Sequence, residues 1–288
     1  MTFRNPVRTL AKQVLPMRAQ DVLRGFSKLR RQSPPSVEAG PKPISLIQHV
    51  DRTRLFAPHQ VFRLGTGYGG WTLPIRSSLT SDSICYSAGA GEDISFDCAL
   101  AQLFGCQVRL IDPTPRAIKH FEALGKALRN GECFPVNNSP DEFYDVTVEA
   151  FERLSLAPVG LFDQDGEQKF YLPRNSAHVS CSILNLPKTT QYFTAACLST
   201  ATVMRLFKDT AIDLLKMDIE GSEYAVIRDL VFNKILPRML LVEFDEAHTP
   251  MDEGASDRIQ QHIEMLIRAG MRCIFIEGSN MSFLKEPI

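Results

Sequence analysis

The sequence predicts an α/β fold: a mostly parallel sheet with helices on both faces and a C-terminal antiparallel hairpin. Two observations predict it. From about residue 83 onward, short apolar runs alternate with stretches of helical periodicity, the signature of parallel strands joined by crossover helices. The chain then closes on MRCIFI (271–276), the turn GSN (278–280) and MSFLK (281–285). Two apolar runs so close together pair with each other, and they suit an antiparallel edge on the parallel sheet.

SICY (83–86) reads as the first buried strand. After it Phe96, Leu100, Leu103 and Phe104 recur at helical spacing, an apolar stripe that packs a helix onto a sheet. VRLI (108–111) is the second strand. The helix that follows carries Ala117, Phe121, Leu124 and Leu128 on one face and stops near Asn130-Gly131, a common helix end. Residues 131–205 sustain no helical stripe and are rich in turn formers; within them DQDGEQKFYLP (163–173) predicts a hairpin around Asp165-Gly166. Regular alternation resumes with IDLLKM (212–217), a helix from an N-cap at Ser222 through Tyr224, Ile227, Leu230 and Val231, and the strand RMLLVEF (238–244). A last helix carries Ile259, Ile263, Leu266 and Ile267 and stops at Ala269-Gly270.

With 288 residues, 44% of them apolar, the chain can bury one core plus a short appendage. The expected organisation is a basic arm and linker over 1–44 and a catalytic domain over 45–288, with 131–205 as a substrate-side insertion. Residues 1–43 carry nine Lys or Arg against only Asp21 and Glu38. A solvated tail or docking helix, a peripheral contact with an anionic membrane, and an organellar presequence all remain open for this arm. The whole chain balances 32 basic against 33 acidic residues, so no global field favours a polyanion, and a nucleic-acid partner is not expected. No run approaches the roughly 20 apolar residues of a membrane span, and the start lacks the apolar centre of a secretory signal; a cytoplasmic protein is expected. The seven cysteines are scattered and never in CxxC spacing, which argues against both a disulfide framework and a zinc site.

An open parallel sheet binds ligands beyond the carboxyl ends of its strands. After the first strand comes SAGAGED (87–93), in which Gly89 and Gly91 let backbone approach a ligand closely, while Glu92 and Asp93 offer acceptors to a cationic amine. Asp112 ends the second strand, where two carboxylate oxygens can hold both hydroxyls of a ribose. A dinucleotide fingerprint would want glycine at 94, yet Ile94 stands there, and a pyrophosphate would not welcome Glu92 and Asp93. Farther on, Asp218 and Glu220 stand two apart, as do Glu243 and Asp245. Four carboxylates near one crevice can orient an ammonium group, take a proton from a hydroxyl or bind a divalent cation. No metal site is expected, because the pattern places no histidine or asparagine to complete one. Salt bridges to Lys216 or Arg228 and helix N-terminal charge are the plainer roles for these acids.

LLKMDIEGSEY, the SAGAGEDISF turn and IDPTP resemble the FkbM family of methyltransferases, and GYGGW (67–71), FYLP (170–173), HVSCS (178–182) and LVEF (241–244) extend the likeness over roughly residues 45–288. The resemblance implies the class I methyltransferase (Rossmann-like) sheet, S-adenosylmethionine as cofactor, and a hydroxyl acceptor on a sugar, glycan or other small molecule. It places Gly89, Ala90, Gly91, Glu92 and Asp93 around the methionine part of the cofactor and Asp112 on its ribose. Tyr68, Gly69, Trp71, Ser87 and Pro113 are expected to border the same ligand. Asp218, which also serves the cofactor, is the first candidate for general base, His178 the second, and Glu220 a further catalytic candidate; His248 follows. Ser87 departs from the family, in which many members have an acidic residue at the end of the first strand. A catalytically silent scaffold of the same fold, and a nicotinamide-dependent oxidoreductase, are the competing classes. Trp71 suits stacking on a ligand and packing in the core equally well.

Overall fold

The computed structural model describes residues 42–139, 141–172, 181–184 and 189–286. The basic arm, apart from residues 42–44, lies outside the described residues, as does His178. Among the described residues the strands are β1 (Val61–Leu64), β2 (Trp71–Pro74), β3 (Ile84–Ala88), β4 (Gln107–Ile111), β5 (Leu154–Ala157), β6 (Gly160–Phe162), β7 (Gly166–Tyr171), β8 (Tyr192–Ser199), β9 (Leu214–Met217), β10 (Met239–Glu243), β11 (Met271–Glu277) and β12 (Asn280–Lys285). The helices are α1 (Ser95–Phe104), α2 (Pro115–Arg129), α3 (Val148–Phe151), α4 (Thr200–Phe207), α5 (Glu223–Phe232), α6 (Asp245–His248) and α7 (Ala255–Arg268).

Seven strands form one sheet in the order β11-β12-β10-β9-β3-β4-β5. From β10 through β5 every neighbouring pair is parallel, and β12 is antiparallel to both β10 and β11. The predicted hairpin forms, but β12 is not an edge strand: it inserts between β10 and β11. Its sequence suits the interior, because Met281, Ser282 and Phe283 are all buried, whereas β11 leaves Phe275 and Ile276 half open at the rim.

Side chains alternate across the sheet as strand geometry requires. Tyr86, Leu215 and Leu240 point into a core closed by Val226, Ile227 and Leu230 of α5 and by Ile259, Ile263 and Leu266 of α7. Cys85, Leu214 and Leu241 point into the opposite core, closed by Phe96 and Leu100 of α1 and Leu124 of α2. The helix ends follow local chemistry. Gly105 ends α1 in the left-handed region at φ 67°, where glycine meets no Cβ penalty, and Thr114 caps α2 by accepting from the Ala117 amide. Ser222 stands at the N-cap of α5, yet its hydroxyl donates to the Ile219 carbonyl instead of capping.

Two expectations for residues 131–205 change. The segment contributes β5 to the main sheet, a four-residue stretch too short for periodicity to reveal. The predicted hairpin does not form, because β8 lies between β6 and β7 in a separate three-stranded sheet. Asp165, read as a turn residue, instead accepts from the Ser199 amide at 2.8 Å and from the Thr202 hydroxyl at 2.8 Å, fixing the junction of β8 and α4. No helix among the described residues is long and apolar enough to cross a membrane, and no disulfide forms among them.

Candidate functional site

Strand order reverses around β3, whose neighbours are β4 on one side and β9 on the other, and a cleft opens there at the carboxyl ends. Its volume is about 600 Å³, within the roughly 300–1,000 Å³ typical of small-molecule sites. The floor is the turn after β3. Gly89 has φ +80°, and a Cβ there would lie 1.7 Å from the Asp218 carbonyl oxygen, so the turn packs directly on the end of β9. Gly91 has φ +57°, and a Cβ there would meet nothing within 4 Å, leaving bare backbone facing the cleft.

Asp112 fixes this turn. Its Oδ2 accepts from the Ala90 and Gly91 amides, both at 2.9 Å, and its Oδ1 accepts from the Thr114 amide at 2.7 Å and hydroxyl at 2.6 Å. A carboxylate has about four lone-pair positions, so all are filled, and a ribose hydroxyl would have to replace one of these donors. Asp93 is likewise engaged: it accepts from the Thr66 hydroxyl at 2.6 Å, the Gly69 amide at 3.2 Å and the Ser95 amide at 3.0 Å. It ties the β1–β2 loop to the start of α1 and is a brace for the turn rather than an open acceptor. Glu92 pairs with Arg116.

Tyr68, Gly69, Gly89, Ala90, Gly91, Glu92, Asp93, Asp112, Pro113, Asp218 and Glu220, all expected at the site, border the cleft. Trp71 and Ser87 do not. Trp71 is 3% exposed in the core, on the strand β2 that pairs with β1, and Lys216 Nζ lies 5.7 Å from its ring centre. Ser87 is buried within β3 beneath the turn.

The opposite wall is acidic. Asp218 keeps 35% of its side chain open, with Lys216 Nζ 3.6 Å from its Oδ2. Glu220 adopts φ +50°, a left-handed conformation rare outside glycine, and its carbonyl accepts from the Ser182 hydroxyl. Glu243 accepts from the Ser279 hydroxyl at 2.7 Å; burial first, then the negative charge of Asp218, pushes its carboxyl up to about 7. Burial followed by the charges of Asp218, Glu220 and Glu243 also raises the Tyr68 phenol.

Sequence reasoning named Lys216 only as a salt-bridge partner of the acids, a pair that forms with Asp218, and missed its second role together with the other residues that support the site. Lys216 is buried and donates to the Gly89 carbonyl at 2.5 Å, holding the turn from below. Tyr144 accepts from the Ile94 amide at 3.0 Å and lies 2.7 Å from His120 Nε2, bracing the entry to α1. Only the inward alternation of LLKM signalled Lys216; nothing local signalled Tyr144 or His120. Asp97, on α1 beneath the turn, is fully buried, and burial pushes its carboxyl up to about 6 against the opposing charge of Lys216. A raised acid binds its proton more tightly folded than unfolded, so stability falls as pH rises from the unfolded value near 4 through about 6. A contribution of about 3 kcal/mol is expected across that window; urea unfolding at a series of pH values should show the slope, and Asp97→Asn should remove it.

A parallel sheet with an inserted antiparallel strand, and a glycine turn packed beside carboxylates at the switch point, make up a Rossmann-like α/β fold with its cleft at the strand ends. The chain matches the family model described as the methyltransferase FkbM domain over residues 117–273, and it belongs to that family. It is an S-adenosylmethionine-dependent methyltransferase. No curated protein matches it. Solved structures similar to it include a fibrillarin pre-rRNA processing protein of Methanococcus jannaschii, 11% identical with TM-score 0.36, the alignment covering 72% of this chain and 69% of that one. A precorrin-6y C5,15-methyltransferase from Geobacter metallireducens is 10% identical with TM-score 0.35, over 72% and 81%. TYW2 of M. jannaschii in complex with AdoMet is 10% identical with TM-score 0.31, over 81% and 90%.

Proposed function

We propose that this methyltransferase modifies a hydroxyl group of a sugar, glycan or other small molecule, with Asp218 as the base that receives the hydroxyl proton. The observation that carries this reading is the Asp218 carboxylate: it is part-exposed at the carboxyl end of β9, beside the bare Gly89–Gly91 turn and facing the cleft. S-adenosylmethionine bound beside this turn would supply a methyl carbon already activated on sulfur, with the thioether as leaving group.

What remains for the protein is alignment and proton removal. Alignment of the reacting atoms can contribute roughly 7–11 kcal/mol in favourable cases. In this reading the Ala90 and Gly91 backbone, held by Asp112, bounds the cofactor, and the carboxylates of Asp218 and Glu220 favour its positive end. Asp218 accepts the hydroxyl proton, and Lys216, at 3.6 Å, holds the carboxylate in place. Tyr68, 70% exposed at the rim, offers a ring for an acceptor to pack against. A small-molecule or saccharide acceptor, no nucleic acid, and a cytoplasmic location complete the reading. Residues 45–288 act as the catalytic domain, with 131–205 shaping the acceptor side.

Calorimetric titration with S-adenosylhomocysteine tests the cofactor side. The wild type is expected to bind at micromolar strength, and Asp112→Ala to weaken binding by at least about tenfold, because the Ala90–Gly91 turn that bounds the cofactor loses the carboxylate that holds it. Undiminished binding in the variant would remove Asp112 from the cofactor site.

A further inference from the structure

We propose that Glu243, Asp245 and His248 hold one divalent first-row cation of the Mn²⁺ kind at the acceptor side of the cleft. Glu243 ends β10, Asp245 begins the short helix α6 and His248 ends it. A single helical turn therefore folds the imidazole back over the strand end. One ligand atom from each of the three lies within 4.8 Å of the other two, and His248 Nδ1 is 3.9 Å from Glu243 Oε1. An ion with bonds of about 2.1 Å, in octahedral coordination, separates its ligand atoms by roughly 3–4 Å, so small side-chain adjustments close the set.

A second observation points to a missing partner. Asp245 is 4% exposed, and its Oδ2 is buried without a hydrogen-bond donor. Glu223, the neighbouring carboxyl, can satisfy Asp245 only by sharing a proton with it; a cation satisfies the same atom by charge. Asn280 adds to the case. It stands directly opposite Glu243 in the β10–β12 register, a placement that puts both side chains on one face, and its Oδ1 is also buried without a partner. The histidine and the asparagine that strand spacing alone did not supply are thus both delivered by tertiary structure.

The donor set narrows the ion. Two carboxylates and an amide oxygen suit Mg²⁺, Ca²⁺ or Mn²⁺, and an imidazole nitrogen favours the transition metal among them. Glu243 and His248 also border the cleft, so the ion has coordination positions open to water or an acceptor oxygen on that side. Its binding does not depend on the acceptor's identity.

The test is titration of the full-length, chelator-treated protein with Mn²⁺, following the loss of the free-ion electron paramagnetic resonance signal. One ion per chain is expected to bind. Glu243→Gln and His248→Gln should each weaken binding at least about tenfold, the scale on which metal sites respond to lost ligands or their supports. Both residues are less buried than Asp245, and a normal thermal transition shows that a variant has folded. Bound Mn²⁺ should also raise the wild-type unfolding temperature and leave those of the two variants nearly unchanged. Absence of stoichiometric binding by the folded wild type, or equal affinity in wild type and both folded variants, would overturn the proposal and leave Asp245 and Glu223 as a proton-sharing pair.

Discussion

Gly89→Ala is expected to destabilise the protein by about 3 kcal/mol or more and to abolish S-adenosylhomocysteine binding, whereas Gly91→Ala should cost only about 1–2 kcal/mol. Both glycines have positive φ, so both substitutions pay left-handed backbone strain. They differ in what the new methyl meets. At position 89 it would stand 1.7 Å from the Asp218 carbonyl oxygen, and that atom is main chain at the end of a buried strand, which no rotamer change can move aside. Relief requires the turn to lift from β9, disturbing the hydrogen bond of the Asp218 amide to the Ala88 carbonyl at 3.1 Å and that of Lys216 to the Gly89 carbonyl at 2.5 Å. At position 91 the methyl enters open space. Urea unfolding of the two variants measures the difference, and equal stabilities would mean that the turn does not pack on β9.

Asp218→Asn is expected to lower turnover by roughly 100- to 10,000-fold, the span a well-placed base contributes, with folding intact and S-adenosylhomocysteine affinity changed only a few-fold. Asparagine keeps the shape and the hydrogen bond but cannot accept the proton. The side chain is part-exposed and its ion pair with Lys216 is long, at 3.6 Å, so a stability effect above about 1 kcal/mol is not expected. Single-turnover rates measured beside equilibrium binding separate the outcomes: a near-normal rate removes Asp218 from proton transfer, and parallel losses in rate and affinity make it a residue that holds the cofactor.

The strands and helices of the main sheet were legible in the sequence wherever the apolar period was sustained, as in LLKM, MLLVE and the stripe Ala117, Phe121, Leu124, Leu128. Local steric and solvation rules set that period, and they act over one or two turns of chain. Leu154–Ala157 escaped notice because four residues carry no period, and the β6-β8-β7 sheet because its pairing joins residues from 21 apart (Tyr171 with Tyr192) to 37 apart (Gly160 with Cys197). For the candidate site, residue types at strand ends pointed to the turn after β3 and to the carboxylates beside it, but not to Gly160, Leu161, Phe170, Glu277 or Asn280, which also border the cleft, and they left open what several residues do. Asp93 and Asp112 read as open acceptors, but backbone amides occupy them, and a buried carboxylate near unpaired amides will take those hydrogen bonds. Trp71 read equally well as a ligand platform and as a core residue, and its strand turns it into the core.

The sequence by itself therefore determined the class of fold, the family and the strand ends at which the chemistry gathers, since these rest on local periodicity and on contiguous motifs. Only the tertiary structure decided which carboxylates brace the turn and which face the cleft, that Lys216 supports Gly89 from below, and that β12 inserts beside β10. That insertion sets Asn280 opposite Glu243, and the turn of α6 carries His248 to within 3.9 Å of the same carboxylate. Such contacts depend on register and on the direction of each side chain in space, and neither is encoded in the spacing of a single segment.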